Sequence, residues 1–118
     1  MENSTEQTAR GVFLANAMPA AVTEAEPGLR RQILVHSPSL MLVRHEMAKG
    51  WRGTAHSHPH EQMVYVLSGC IQITVDGVSM DASAGDNFIV APNAEHHACA
   101  LEDSVVLDIF TPARVDYL

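Results

Sequence analysis

The sequence predicts an all-β fold in a single domain, and three observations lead to that prediction. Short runs of apolar and β-branched residues recur along most of the chain, with turn residues between them. No amphipathic helical period of useful length interrupts these runs. The chain has 118 residues, which is enough for one hydrophobic core and too little for two. Many short strands at regular spacing favour a barrel or a sandwich, and periodicity alone does not choose between them.

The first 28 residues mix Ser, Thr, Glu, Ala, Pro and Gly without a sustained period. We therefore expect residues 1–28 to form a tail or a loosely docked arm, and residues 29–118 to form the all-β domain. Nine strands are expected in that domain, at residues 29–35, 40–48, 54–58, 62–67, 70–75, 79–82, 87–90, 96–101 and 104–110.

The clearest local signal is an antiparallel hairpin in the middle of the domain. Ile71, Ile73 and Val75 alternate with other residues and so share one face of a strand. Asp76 and Gly77 directly follow that strand and supply a tight turn. The strand after the turn is therefore expected to pair with the strand before it.

The net charge bears on which classes of molecule the protein can bind, and the cysteine content bears on the cellular compartment. Fourteen acidic residues against seven basic ones give a formal net charge of -7, which would repel phosphate backbones and anionic membrane surfaces. We expect no nucleic-acid or membrane partner. The apolar stretch at residues 11–22 has only Arg10 as a preceding positive charge, so no secretory signal is predicted. Cys70 and Cys99 are too few for a disulfide scaffold, which favours reduced thiols in a cytoplasmic protein.

Three of the seven histidines lie close together beside an amide and a carboxylate. His56 and His58 point to the same face of an extended chain, so their imidazoles can converge on one ion. Gln62 can add an oxygen once the bend at Pro59 returns the chain. His60 has the same parity, but it follows the proline and its direction stays open. This segment is a candidate metal site.

A fourth ligand has to come from elsewhere in the chain, and His96 opens a later predicted strand. His97 would then face the opposite way. Three neutral imidazoles and one carbonyl oxygen suit nickel, zinc, iron, copper or manganese, and they leave positions for a substrate or water. Glu61 is a rival to Gln62, since a carboxylate normally outcompetes an amide for a cation. Histidines that merely decorate a surface loop are the alternative.

Two motifs make the chain resemble the cupin superfamily, whose fold is a double-stranded β-helix, or jelly-roll barrel. The first motif is a glycine, five residues, His-x-His, three or four residues, a glutamate, six residues and a glycine. It matches Gly50, His56, His58, Gln62 and Gly69, with glutamine where glutamate is usual.

The second cupin motif resembles residues 85–96 and puts His96 on its ligand position, although Ala91 replaces a proline and Asn93 a glycine. The resemblance implies one divalent transition metal bound by His56, His58, Gln62 and His96. It also implies a homodimer, because cupins often protect their sheet edges by pairing across a dimer.

A second group of candidate residues lies near the C-terminus. Strand alternation puts Val106, Asp108 and Phe110 on one face, and a turn at Pro112 would let Arg114 fold back over the barrel mouth. An acid, an aromatic wall and a carboxylate clamp would then converge. The alternative is a surface aspartate, a core phenylalanine and a solvated arginine.

Residues 56–62 and 108–114 together resemble the small cupins of pectin and alginate breakdown that linearise unsaturated monouronates. The resemblance implies that Asp108, Phe110 and Arg114 serve activity. His60 and Tyr65 are further candidates to assist, and a structural role is the alternative for both. It implies ring opening of a 4,5-unsaturated uronate, a small anionic sugar acid, to its linear keto form. A metal-dependent dioxygenase and a non-catalytic sugar-binding module are the alternatives that stay open.

Overall fold

The computed structural model describes residues 6–18 and 20–118. Within these residues the chain forms β-strands and one short 3-10 helix. The strands are β1 (Glu6–Ala9), β2 (Val12–Ala15), β3 (Val22–Glu26), β4 (Leu29–Ser37), β5 (Leu40–Met47), β6 (Glu61–Ser68), β7 (Cys70–Val75), β8 (Val78–Ser83), β9 (Asn87–Val90), β10 (His96–Ala100) and β11 (Ser104–Thr111), and the 3-10 helix is Val115–Tyr117.

Two antiparallel sheets form the body of the domain. The larger has the strand order β3-β4-β5-β11-β6-β9, and the smaller has the order β10-β7-β8. β1 and β2 form a separate hairpin. Among the described residues, none lies in a helix with the length and apolar character needed to cross a bilayer. The predicted all-β domain is confirmed.

The core lies between the sheets because successive strand residues alternate between the two faces. One cluster draws buried side chains from both sheets: Leu29, Met47, Val64, Val66, Ile71, Ala82, Ala100 and Val106. A second cluster contains Met41, Val43, Phe110 and Ala113. The same alternation carries His45 and Asp108 to the buried face, where they are 6% and 4% exposed. Polar groups buried so deeply need hydrogen-bond partners.

The predicted hairpin is present as β7 and β8. Asp76 and Gly77 both have positive φ, 50° and 79°, which is the geometry of the two-residue turn that favours Asp-Gly. Eight of the nine strands predicted in the barrel domain have counterparts among the observed strands.

The sequence predicts no strand before residue 29, and here the structure differs. β3 is not a tail, because it pairs with β4 at the edge of the larger sheet. All of its residues are exposed, so it lacks the apolar alternation on which the prediction relied. The Gln32 side chain of β4 also donates to the carbonyl oxygens of Ala17 and Ala20, at 2.7 and 3.1 Å. The division into an arm of residues 1–28 and a barrel domain stays a prediction.

The strand predicted at residues 54–58 is also absent. His56 there forms an isolated antiparallel bridge with His96, through two backbone hydrogen bonds of 3.0 and 2.9 Å. Pro59 has no N–H to donate and has a fixed φ, which disfavours continuing a ladder beyond His58. The segment is therefore irregular, but it is tied to the start of β10.

Gly69 links β6 to β7 in a conformation that only glycine adopts readily, with φ at 83°. A Cβ at this position would overlap the carbonyl oxygen of Asp103 and the hydroxyl group of Ser104. We expect Gly69→Ala to lower the free energy of unfolding by about 2–5 kcal/mol, because backbone strain and overpacking add. Urea titration measures this loss.

Gly77→Ala is the matched control for Gly69→Ala. Gly77 also has a positive φ of 79°, but a Cβ there meets nothing within 4 Å. We expect it to cost only about 1 kcal/mol, the strain term alone. Equal losses in the two variants would contradict the steric account of Gly69.

Candidate metal centre

Three histidines meet at one end of the cavity between the sheets. His56 and His58 come from the irregular segment before β6, and His96 is the first residue of β10. One ring nitrogen of each lies within 4.8 Å of the ring nitrogens of the other two. His58 and His96 are buried, whereas His56 is exposed. The structure thus brings together the three imidazoles that the sequence singles out.

Each of these imidazoles is held by a backbone carbonyl oxygen two residues away. The Nδ1 contacts are His56 to Thr54 at 2.9 Å, His58 to His60 at 3.1 Å and His96 to Ala94 at 2.9 Å. A carbonyl oxygen can only accept, so a neutral ring carries its proton on Nδ1 and donates it there. The Nε2 lone pair of each ring is then free to bind a metal.

Gln62 faces the same point, and its orientation is set by Asp108. The amide Nε2 of Gln62 donates to Oδ1 of Asp108 at 2.8 Å, because an ionised carboxylate only accepts. The amide carbonyl oxygen therefore faces His58, with its Oε1 3.1 Å from the Nε2 atom of that ring. With His58 neutral, two lone pairs point at each other across this gap. A cation bound between them would relieve their repulsion, so the donor set fits a metal.

Burial favours the metal-binding form of two of these rings, His58 and His96. The pKa of His58 is lowered by burial first, and then by the charges of Arg114 and His96. Burial is also the main cause that lowers the pKa of His96. Metal ligation requires neutral imidazole, so both shifts reduce competition from protons near neutral pH. His56, His58, Gln62 and His96 are the residues that could hold a divalent ion here.

Asp108 joins Gln62 to a buried series of hydrogen bonds that leads away from His56, His58 and His96. Its Oδ2 accepts a 2.6 Å hydrogen bond from Nδ1 of His45. The Nε2 atom of His45 in turn accepts from Nε of Arg31 at 3.0 Å, which fixes the proton of the neutral ring on Nδ1. Sequence reasoning missed His45 and Arg31, although both occupy the inward positions of predicted strands.

Arg114 folds back to the cavity, but its guanidinium group is already engaged. Its Nε and Nη2 donate to the two carboxylate oxygens of Asp116, at 3.2 and 2.7 Å. Its Nη1 donates to the hydroxyl group of Tyr117 at 3.1 Å. The ion pair is the main cause that lowers the pKa of Asp116. These hydrogen bonds of Arg114 thus lie within the C-terminal segment itself.

A cavity of about 300 Å³ joins these groups. Its wall includes His56, Gln62, His96, Asp108, Arg31 and Arg114. The wall carries two guanidinium groups although the chain as a whole is acidic. The cavity therefore offers metal-binding donors, a carboxylate and positive charge within one space.

Phe110 does not take the place that the sequence predicts for it. Its side chain faces inward as expected but is only 1% exposed, and it packs edge-on against His58, His60 and Tyr117 at centroid distances of 5.9, 6.3 and 5.7 Å. Met41 and Val43 share its cluster. A ring covered in this way packs beneath the histidines and is not exposed to contact a substrate.

The other candidates lie outside the cavity wall. Tyr65 is 44% exposed, on the face of β6 opposite Val64 and Val66. Glu61 is exposed on the same outer face, whereas Gln62 is half-buried. The Nδ1 atom of His60 is buried without a hydrogen-bond partner in the part of the chain that the structure describes, and its ring packs against His58.

The difference between Glu61 and Gln62 predicts how metal content responds to substitution. We expect Gln62→Ala to weaken metal binding by roughly 10-fold or more, because the carbonyl oxygen that faces His58 is lost. Glu61→Ala is the matched control and should keep the parent's metal content, since its side chain points outward. Elemental analysis after dialysis against a weak chelator ranks the variants. The reverse ranking would show that Glu61 is the ligand.

Comparison with known proteins assigns the fold and gives two named relatives. Residues 43–110 match the Cupin domain family. The pectin degradation protein KdgF of Dickeya dadantii (strain 3937) is 36% identical over 97 residues, which cover 80% of this chain and 88% of that protein. The structure of KdgF from Halomonas sp. has a TM-score of 0.80 and 39% identity, and the match covers 83% of this chain and 91% of that one.

A third similar structure covers almost the whole chain. The RmlC-like cupin from Shewanella frigidimarina NCIMB 400 has a TM-score of 0.86 and 32% identity, over 97% of this chain and 99% of that one. The likeness therefore extends beyond the two motifs to the strands that flank them.

Proposed function

The chain belongs to the cupin family, so its two packed sheets are the jelly-roll barrel that the sequence predicts, and from that premise we propose that it is a metal-dependent enzyme that opens the ring of 4,5-unsaturated monouronates. The observation that carries the proposal is one cavity whose wall includes His56, His96, Gln62, Asp108 and two arginines. His58 completes the histidine cluster with His56 and His96. The similarity to proteins named for pectin degradation supports a sugar acid as the substrate class.

The proposed substrate matches the cavity in size and charge. An unsaturated monouronate is a single sugar ring with one carboxylate, and a cavity of about 300 Å³ suits a ligand of that size. The guanidinium group of Arg31 provides positive charge at the cavity wall although the net charge of the chain is -7, whereas the charge of Arg114 is paired with Asp116. The cyclic substrate is both an enol ether and a hemiacetal, so ring opening needs only proton movement and cleavage of one C–O bond.

The proposed reaction is an isomerisation without a redox step. The anomeric hydroxyl group loses a proton and becomes the carbonyl group of the open chain, while the bond from the anomeric carbon to the ring oxygen breaks. The ring oxygen leaves with the bonding electrons as an enolate, which gains one proton on carbon and becomes the keto form. Asp108 takes up and returns the proton in this scheme. His45 and Gln62 hold its carboxylate in place. His56, His58, His96 and Gln62 would hold the divalent metal, which would supply Lewis-acid polarisation of a substrate oxygen when bound.

A cytoplasmic homodimer is part of the proposal. Met63, Tyr65, Leu67 and Ile89 lie exposed on the outer face of the larger sheet, and the hairpin of β1 and β2 belongs to neither main sheet. A contiguous exposed apolar surface of this kind favours association with a second copy.

Turnover of the lyase-generated unsaturated monouronate tests the proposed function. We expect the metal-loaded protein to abolish the absorbance of the conjugated double bond without consuming oxygen. Oxygen uptake would instead support a dioxygenase, to which three imidazoles are also suited. Absence of turnover with nickel, zinc, iron, manganese and copper would contradict the ring-opening function and leave a sugar-binding module.

A further inference from the structure

The two guanidinium groups of the cavity differ in what occupies their N–H groups. All three nitrogens of Arg114 donate within its own segment, to Asp116 and Tyr117. A bidentate carboxylate already fills one edge of that guanidinium group. Arg114 is therefore a poor first choice to receive a second carboxylate, and its contacts give it the role of a positioning residue for Tyr117.

Arg31 shows the opposite arrangement. Its Nε donates to His45 at 3.0 Å, and its guanidinium carbon lies 3.7 Å from the centroid of the Tyr117 ring. Among the side chains and backbone that the structure describes, its terminal Nη1 and Nη2 have no hydrogen-bond partner. The hydrogen bond to His45 and the stacking on Tyr117 thus hold the guanidinium group in place. Its two terminal nitrogens remain available as a planar pair of donors at the cavity wall. That geometry matches a carboxylate bidentately.

The surroundings of Arg31 connect this pair of donors to the proposed acid-base group. His45 lies between Arg31 and Asp108, hydrogen-bonded to both. A ligand carboxylate bound by Nη1 and Nη2 of Arg31 would therefore be separated from Asp108 by the imidazole ring of His45. The carboxylate of Asp108 itself accepts hydrogen bonds from His45 and Gln62. Glu26, another acid of the cavity wall, is already the acceptor of the Trp51 indole N–H at 2.7 Å.

We propose that Arg31, and not Arg114, binds the carboxylate of the ligand and makes the cavity selective for sugar acids over neutral sugars. The inference rests on the proposed function for its substrate class. It differs from the sequence-based expectation, which assigns the carboxylate clamp to Arg114.

A binding measurement tests this role without any turnover. The probes are galacturonate, which lacks the double bond, and its neutral methyl ester, titrated calorimetrically into metal-loaded protein. We expect Arg31→Gln to weaken galacturonate binding by at least roughly 10-fold and to leave ester binding and metal content unchanged. Arg31→Lys keeps the charge without the planar pair of donors and should lose less than Arg31→Gln. Arg31→Lys also provides the test if Arg31→Gln does not fold.

Arg30→Gln and Arg114→Gln are the comparison variants. Arg30 is the neighbouring arginine, with a side chain 60% exposed near Glu46, so its replacement should leave acid binding unchanged. Arg114→Gln should weaken acid binding less than Arg31→Gln does.

Three results would overturn the assignment to Arg31. The first is galacturonate affinity within twofold of the parent's in both Arg31 variants. The second is a parent protein that binds galacturonate no more tightly than the methyl ester. The third is a larger loss of galacturonate affinity in Arg114→Gln than in Arg31→Gln. A parent that binds the acid through Arg31 but turns over no unsaturated uronate would contradict the proposed function and uphold this inference.

Discussion

His96→Ala is expected to remove most of the bound metal while the barrel stays folded. The substitution takes away one of three imidazoles whose ring nitrogens converge within 4.8 Å. Loss of groups that merely support a ligand typically costs 10–100-fold in metal affinity, so loss of a ligand should cost more than about 100-fold. The pairing of His96 with Val75 uses the backbone and persists in alanine. Elemental analysis and circular dichroism measure the two outcomes.

His97→Ala is the matched control, because His97 is the next residue of β10 and strand alternation turns its side chain to the other face. It should retain the parent's metal content. Full metal occupancy in His96→Ala would remove His96 from the ligand set. Equal metal loss in both variants would mean that the effect comes from β10 as a whole.

Asp108→Asn is expected to lower kcat by about 10²–10⁴-fold, the range for loss of an acid-base group. Asparagine keeps the size of the side chain but cannot take up a proton. The substrate's carboxylate is held elsewhere in this account, so KM should change little. Turnover is followed by the loss of the substrate's double-bond absorbance.

Rates of Asp108→Asn must be expressed per bound metal, since Asp108 orients the amide of Gln62. Gln62 and His45 donate to different oxygens of the carboxylate, and asparagine replaces one of these oxygens with an NH2 group that cannot accept. One buried donor therefore loses its partner, and stability should fall by about 1–3 kcal/mol. A kcat per bound metal equal to the parent's would show that Asp108 only positions Gln62.

The convergence of the candidate metal ligands could be predicted in part because the spacing of three of them is local. His56 and His58 share a face through strand parity, and the Pro59 bend brings Gln62 back to them. His96 required the second motif, since nothing in the first segment identifies its partner across the sheet. Alternation alone also places Asp108 and Phe110 on one face of β11, and the burial pattern of the strand shows that this face is the inward one.

The features that could not be predicted depend on the register between paired strands and on how deeply a side chain is buried. No local sequence pattern encodes either of these. Arg31 faces His45 because β4 and β5 pair in one register, with an irregularity between Ile33 and Val35. Parity puts Phe110 inside but does not tell how many side chains cover it. β3 is held by backbone pairing without an apolar face, and such a strand has no signature in the sequence.

Stepwise reloading of metal-stripped protein, with turnover of an unsaturated monouronate measured at each step, tests the central claim most directly. We predict that the rate rises in proportion to bound metal and stops rising at one ion per chain. A stripped protein as active as the loaded one, or a loaded protein inactive with each of the five metals, would contradict the claim that this cavity is a metal-dependent ring-opening site.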